Sequence, residues 1–483
     1  MQGISKLEIK LRNWQSKAKQ RRKEVEALRK RLAEVKAGRE NWKSKYKAQK
    51  LANSTLKKLL VKRSSSKRVE KEQGLKPRHH SYPIWVIRFC MLIRQNGNVS
   101  LRGCQAVLKI VCMQFAIEQA IPTKTSIQNW EKKLGYYHLT DQPTPNGTWV
   151  LILDESISIG QDKLLLILGV NVSTYEFGEA LNFGDTKLLF LGIAKSWTAV
   201  KISEQLEVIK ASGLSIAYGV SDGGTNLVKS LKVSKIDRVE DCTHSIGNLL
   251  KKQYNKSEAF QAFSKQCGIF KRQVQLSQYA VYAPPKQRTK GRFLNIRELA
   301  KWAYKTLMLV SKQPEDNSMM DEVLKGKLQW LEDYQQLVVE LQAQCVLMDK
   351  IFQIIKSKGL SQLTKEQCVQ ILEQSKCNEF FKQGVEAYLE KNILLQKEDV
   401  PLLCCSDIIE SYFGKYKNQV AKNGRALITD ACLVIGNYSQ NFDDRQIKKA
   451  MEEVKIIDLV EWKKKNIPIS FMQRKDKVFK NTG

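Results

Sequence analysis

Trp149-Val150-Leu151-Ile152-Leu153-Asp154 is an unbroken apolar run that ends on a carboxylate. Its apolar pattern has strand character. Ser215-Ile216-Ala217-Tyr218-Gly219-Val220-Ser221-Asp222 repeats the arrangement, and Ser406-Asp407-Ile408-Ile409-Glu410-Ser411-Tyr412-Phe413-Gly414-Lys415 reads as a helix carrying a third carboxylate. Three carboxylates on separate elements, if they converge, suit two divalent metals. In a strongly basic chain the fitting substrate is a phosphodiester, because metals on either side stabilise both the attacking and the leaving oxygen.

Working outward, 164–172 and 188–193 are further strands, 197–212 a helix, 216–221 a fourth strand, 225–234 a helix, and Arg238-Val239-Glu240 a short fifth strand. Three consecutive strands followed by alternating helix and strand predict an α/β fold, a mixed sheet in which antiparallel hairpins feed parallel strands. Residues 254–398 read as long helical segments broken at Pro284-Pro285, an all-helical insertion. Domains are therefore expected at 78–140, 145–255 (the first part of the sheet domain), 256–400 (insertion), 401–440 (its closing helix) and 441–483 (a basic C-terminal segment), after an arm at 1–72.

The chain of 483 residues carries a formal charge of +32, which implies salt-dependent binding to a polyanion, with nucleic acid as the expected partner. Residues 1–70 hold 23 Lys and Arg against 6 Asp and Glu, about half of that surplus. Leu7, Leu11, Trp14, Ala18, Val25, Leu28, Leu32, Val35, Trp42 and Tyr46 follow mostly heptad steps, so the arm reads as a coiled coil that dimerises the protein or lies along DNA. The bland alternative is a solvated helix.

Residues 83–137 form a helical block in which Pro122-Thr123-Lys124-Thr125-Ser126-Ile127-Gln128 opens a helix with polar side chains on its first turn. This suits a helix-turn-helix whose Lys124, Thr125 and Gln128 reach base edges, against the plainer reading of a three-helix spacer. Eleven cysteines include no C-x-x-C pair, which argues against structural zinc and for reduced thiols. No uncharged apolar run approaches the roughly 18 residues of a membrane span, so the expectation is a soluble, cytoplasmic protein.

The strand order, with Asp154 on the first strand, Asp222 after the fourth and Glu410 on a helix behind a helical insertion, resembles the RNase H-like catalytic core of DDE transposases, and in particular a bacterial insertion-sequence transposase. Asp241-Cys242-Thr243-His244 is similar to the Cys/Asp-x-x-His motif that follows the second Asp in members with helical insertions, and Glu410 with Lys417 fits an E-x6-K half-signature. Leu403 and Ser406 stand where the other half has Tyr and Arg, a departure from that subgroup. The basic stretch 283–293 looks like the loop that enters the insertion in such enzymes.

The resemblance implies an enzyme that cleaves transposon ends and joins them to target DNA. Asp154, Asp222 and Glu410 would hold Mg²⁺, with Mn²⁺ as a substitute. His244 would orient the scissile phosphate, Lys417 would grip a terminal phosphate, Arg288, Lys290 and Arg292 would contact DNA, and Trp302 would stack on a flipped base. The protein would act as a homodimer or larger assembly on DNA. Simpler readings stand beside these. Asp222 can cap the helix after it, His244 can be a core histidine, Trp302 can be packed in the insertion, and Asp407, Glu390, Glu398 and Asp399 are alternatives to Glu410. A catalytically inactive DNA-binding derivative and a structure-selective nuclease are the competing functions.

Overall fold

The computed structural model describes residues 75–467 apart from 142, 157–161, 288–292, 294–295, 312–321, 398–399 and 421–427, together with residue 479 and scattered positions between 14 and 47. Residues 1–75 and 76–483 are separate compact units. In the first, the described positions are helical and exposed, Trp14, Val25, Leu32 and Trp42 among them. The remainder of the predicted arm lies outside the described residues.

The second unit is a mixed α/β fold built on one sheet. Strands β1 (Thr148–Glu155), β2 (Lys163–Asn171) and β3 (Lys187–Ala194) precede helix α4 (Ala199–Ala211), β4 (Ser215–Ser221), α5 (Thr225–Val233) and β5 (Arg238–Glu240). The sheet order is β3-β2-β1-β4-β5. β1 pairs antiparallel with β2 and β2 with β3, whereas β1 with β4 and β4 with β5 are parallel. β1 lies at the centre, which accounts for its unbroken apolar run, since strands covered on both faces have no solvent side to show as polar alternation.

The two faces separate by residue parity. Trp149, Leu151 and Leu153 pack with Ile202, Leu206 and Ile209 of α4 and Leu227 and Leu231 of α5. Val150 and Ile152 belong to the large core on the other face, with Val220 and Val239. That core takes in α6 (Cys242–Tyr254), the insertion helices α7 (Glu258–Val274), α8 (Arg297–Val310), α10 (Gln335–Lys358), α11 (Gln362–Glu373) and α12 (Glu379–Ile393), and helix α13 (Asp407–Val420), which returns to pack on β1, whereas α9 (Glu322–Leu328) closes a smaller cluster with Phe270, Val274 and Val310.

The N-terminal helices α1 (Ile84–Asn96), α2 (Leu101–Gln114) and α3 (Lys124–Thr140) are not closed by themselves. The C-terminal segment, read from sequence only as basic, folds into α14 (Asp444–Glu453) and α15 (Ile456–Asn466). α14 packs on α1 and α3, and α15 packs on α3. Lys133 Nζ donates to Met451 O at 3.1 Å across this junction. The 3-10 turn Asp430–Asn437 lies directly on α3: a Cβ placed on Gly135 would sit 1.8 Å from Leu433 O, so only glycine permits the approach. Arg94 of α1 forks onto Glu131 of α3 at 2.7 and 3.1 Å.

His138, on the buried side of α3, has both ring nitrogens enclosed with no hydrogen-bond partner among the described residues. Burial, reinforced by Lys187, lowers its pKa to about 3. A depressed histidine stabilises the fold above its unfolded pKa of about 6.5, and that stability is lost as pH falls from there toward 3. We expect His138→Leu to flatten urea stability over this window, removing a slope of up to about 1.4 kcal/mol per pH unit. An unchanged slope would place the acid sensitivity elsewhere.

Candidate active site

The parallel pairing of β1 and β4 aligns Leu153 with Ser221, so Asp154 and Asp222, one residue further on each strand, leave adjacent C-terminal strand ends. Both share parity with core residues of the same face, Ile152 for Asp154 and Val220 for Asp222, and therefore project to the side covered by α6 and α13. Glu155 has the opposite parity and pairs with Lys163 at 2.6 Å. The Asp154 carboxylate accepts from Glu155 N at 2.7 Å, and that of Asp222 from Gly224 N at 2.8 Å. Burial, then the neighbouring Asp222 charge, raises the Asp154 pKa to about 7. The two carboxylates are near enough for the Asp222 charge to disfavour ionisation of Asp154, a repulsion that positive charge would relieve.

The third carboxylate arrives on the first turn of α13. Glu410 Oε1 lies 3.7 Å from His244 Nε2, and its side chain is 58% exposed. His244 stands on the first turn of α6, and Asp154 feels the charges of Asp222, His244 and Glu410 together. Four residues separated by as much as 256 positions are thus brought to one end of the sheet.

Asp241 holds this arrangement, and sequence reasoning assigned it no role beyond its motif. It is fully buried and caps α6. One oxygen accepts from His244 N at 2.7 Å and from His244 Nδ1 at 2.9 Å. The other accepts from Ser406 N at 2.6 Å and Ser406 Oγ at 2.9 Å. Ser406 immediately precedes α13, so one carboxylate fixes both the helix that carries His244 and the helix that carries Glu410. Cys242 N donates to Cys404 O at 2.7 Å and reinforces the joint. The hydrogen bond to Asp241 is the main reason that the His244 pKa rises to about 9, leaving the ring an imidazolium at neutral pH.

Arg238 braces the second aspartate from behind. Its guanidinium donates to Ser221 Oγ at 3.0 Å, Ser221 O at 3.3 Å, Asp222 O at 2.9 Å and Glu240 Oε1 at 3.2 Å. The backbone that presents Asp222 is therefore held on both sides, by this fork and by the β1 ladder.

A different trio, Asp241, Cys405 and Asp407, forms the one group of potential metal ligands among the described residues whose donor atoms all lie within 4.8 Å. Its chemistry does not suit a cation. Asp241 is saturated by four donors, Asp407 is paired with Lys356, and the Cys405 thiol is held protonated by its hydrogen bond with Cys242 and by burial. All eleven cysteines are free. Asp407 is thus tied to Lys356, whereas Glu410 faces the His244 imidazolium at 3.7 Å. Glu390 is exposed on α12, and Glu398 and Asp399 lie outside the described residues.

The remaining candidates are dispersed. Lys417 lies two turns beyond Glu410 with its ammonium 6.0 Å from the Phe413 ring. Lys124 and Thr125 are exposed on the first turn of α3, which Thr123 caps through Ser126 N at 3.1 Å, and Gln128 is half-buried. Trp302 is engaged in packing: its Nε1 donates to Tyr282 O at 2.9 Å and its ring lies 6.3 Å from that of Phe270. Arg288, Lys290 and Arg292 lie outside the described residues.

No described helix is long and apolar enough to cross a membrane. No family model matches the chain, and no curated protein matches it. Among solved structures the chain is similar to the Drosophila P element transposase strand transfer complex, with 13% identity over 84% of this chain and 99% of that chain and a TM-score of 0.40.

Proposed function

We propose that the protein is a DDE-type DNA transposase with an RNase H-like core, of the kind found in bacterial insertion sequences, which cleaves transposon ends and transfers the freed strand into target DNA. The observation that supports this reading best is the side-by-side placement of Asp154 and Asp222 on adjacent parallel strands, facing a helix that delivers Glu410. Asp154, Asp222 and Glu410 would hold Mg²⁺, or Mn²⁺ in its place, since hard carboxylate oxygens suit these ions and the crowding of Asp154 by Asp222 is relieved by positive charge. When bound, such ions polarise the phosphodiester and activate the attacking oxygen.

The chain's own groups do the rest. The His244 imidazolium, clamped by Asp241 with its Nε2 on the Glu410 side, would donate to a phosphate oxygen. Lys417 offers a point charge two helical turns away. Cleavage breaks one phosphorus–oxygen bond and forms another to water. Joining repeats the exchange with a 3′-hydroxyl, so one phosphodiester replaces another without a covalent protein intermediate. Lys124, Thr125 and Gln128 would read DNA from the start of α3, and the basic arm would pair protomers or follow the phosphate backbone.

The assay supplies a pre-nicked duplex end with a free 3′-hydroxyl and supercoiled plasmid in Mg²⁺. Joined product from the wild type supports transposition, whereas shortened fragments alone would favour a nuclease. Glu410→Gln should lose both activities, and Asp407→Asn, whose partner is Lys356, should retain them within about tenfold, a difference of one RT-scaled decade in rate. The reverse pattern would make Asp407 the third ligand.

A further inference from the structure

Beside the carboxylates, a cleft of about 670 Å³ opens from Gly223, the residue after Asp222, along the exposed side of α6. Its floor is a file of side chains that continues from His244: Asn248, Lys251 and Lys252, with Asn255 and Lys256 just past the helix end. Steps of three and four residues place such positions on one helical face. From 244 to 255 the file spans roughly 16 Å at 1.5 Å per residue.

None of the three ammonium groups has an ion-pair or hydrogen-bond partner among the described residues, and neither carboxamide side chain has one; all five residues are exposed. Elsewhere in the same unit, lysines beside acceptors are paired, as Lys132 is with Asp430 at 2.7 Å and Lys391 with Glu240 at 2.6 Å. The one carboxylate that lines the cleft, Glu240, is already paired with Arg238 and Lys391, so the three adjacent cations repel one another unless a polyanion lies over them.

We propose that this face of α6 is a track for a single nucleic-acid strand, carrying the nucleotides that adjoin the scissile phosphate. The lysines would follow successive phosphates, and Asn248 and Asn255, which present both donors and acceptors, would meet base edges. The volume lies within the range of ordinary ligand pockets and takes a few nucleotides of one strand, not a duplex. The proposal rests on the phosphodiester reading of the neighbouring carboxylates.

The test uses the full-length protein and a labelled single-stranded 20-mer of mixed sequence, with a photo-crosslinking residue at position 248 and, separately, the Lys251→Ala/Lys252→Ala/Lys256→Ala variant. The crosslinker should capture the strand, and the triple variant should bind about tenfold more weakly. Its salt dependence should be shallower by about 2 in log–log slope, as expected for three phosphate contacts at about 0.7 each. Absence of the crosslink together with an unchanged slope would overturn the track, whatever the cleavage activity. If the crosslink and slope change are observed but the wild type shows no Mg²⁺-dependent cleavage, the track stands as a strand-binding site and the catalytic reading falls instead.

Discussion

Asp154→Asn and Asp222→Asn are each expected to reduce Mg²⁺-dependent cleavage by roughly a thousandfold or more, because an ion that stabilises transition-state charge by several kcal/mol is lost with its ligand. The substitutions are nearly isosteric, and Asn keeps an oxygen for the backbone donors, Glu155 N for position 154 and Gly224 N for position 222. The fold should therefore survive. Asp154→Asn should even gain some stability at neutral pH, since the native carboxylate is crowded by burial and by Asp222. Urea unfolding and cleavage measured on the same preparations check both halves. Loss of activity with loss of fold would say nothing for metal binding, and retained activity in either variant would remove that residue from the site.

The second large effect is expected at Asp241. Asp241→Ala strips four hydrogen bonds from two helix starts and leaves the His244 imidazolium without its counter-ion, so we expect a loss of about 3–5 kcal/mol of stability. Asp241→Asn keeps the volume but turns an amide N–H toward donors that need an acceptor, at His244 or at Ser406. Its signature should appear in the His244 ring. In the metal-free wild type the histidine is raised to about 9, so its contribution to stability is complete below pH 6.5 and is lost as pH rises through 9. In Asp241→Asn that decline should vanish and the ring should titrate nearer its ordinary range by NMR. A ring that still titrates near 9 would show that Asp241 is only a helix cap.

Much of this was legible in the chain because the sheet is covered on both faces. Its strands, β1 above all, therefore appear as apolar runs, and a carboxylate at the end of such a run stands out. The order of strands and helices in the sheet follows the order read from the sequence. The role of Asp241 was not legible, because its second oxygen is used by Ser406, 165 positions away, and no local periodicity records that pairing. Helix α14 was missed for a different reason. Its buried residues Ile447, Ala450 and Met451 are few among charged neighbours, so the segment reads as a basic tail until its partner helices are in view. Trp302 was open to two readings, base stacking after a basic loop and packing within the insertion; its N–H is bonded to Tyr282 O and its ring lies beside that of Phe270.

The central claim is that Asp154, Asp222 and Glu410 form one divalent-metal site, and Mn²⁺ binding followed by electron paramagnetic resonance tests it most directly. With a short DNA duplex present, the wild type should bind Mn²⁺ in competition with Mg²⁺, and the signal of bound ion should be lost in Asp154→Asn/Asp222→Asn but kept in Asp407→Asn. Binding that persists in the double variant and disappears in Asp407→Asn would contradict the account and move the metal to the Asp241, Cys405 and Asp407 cluster.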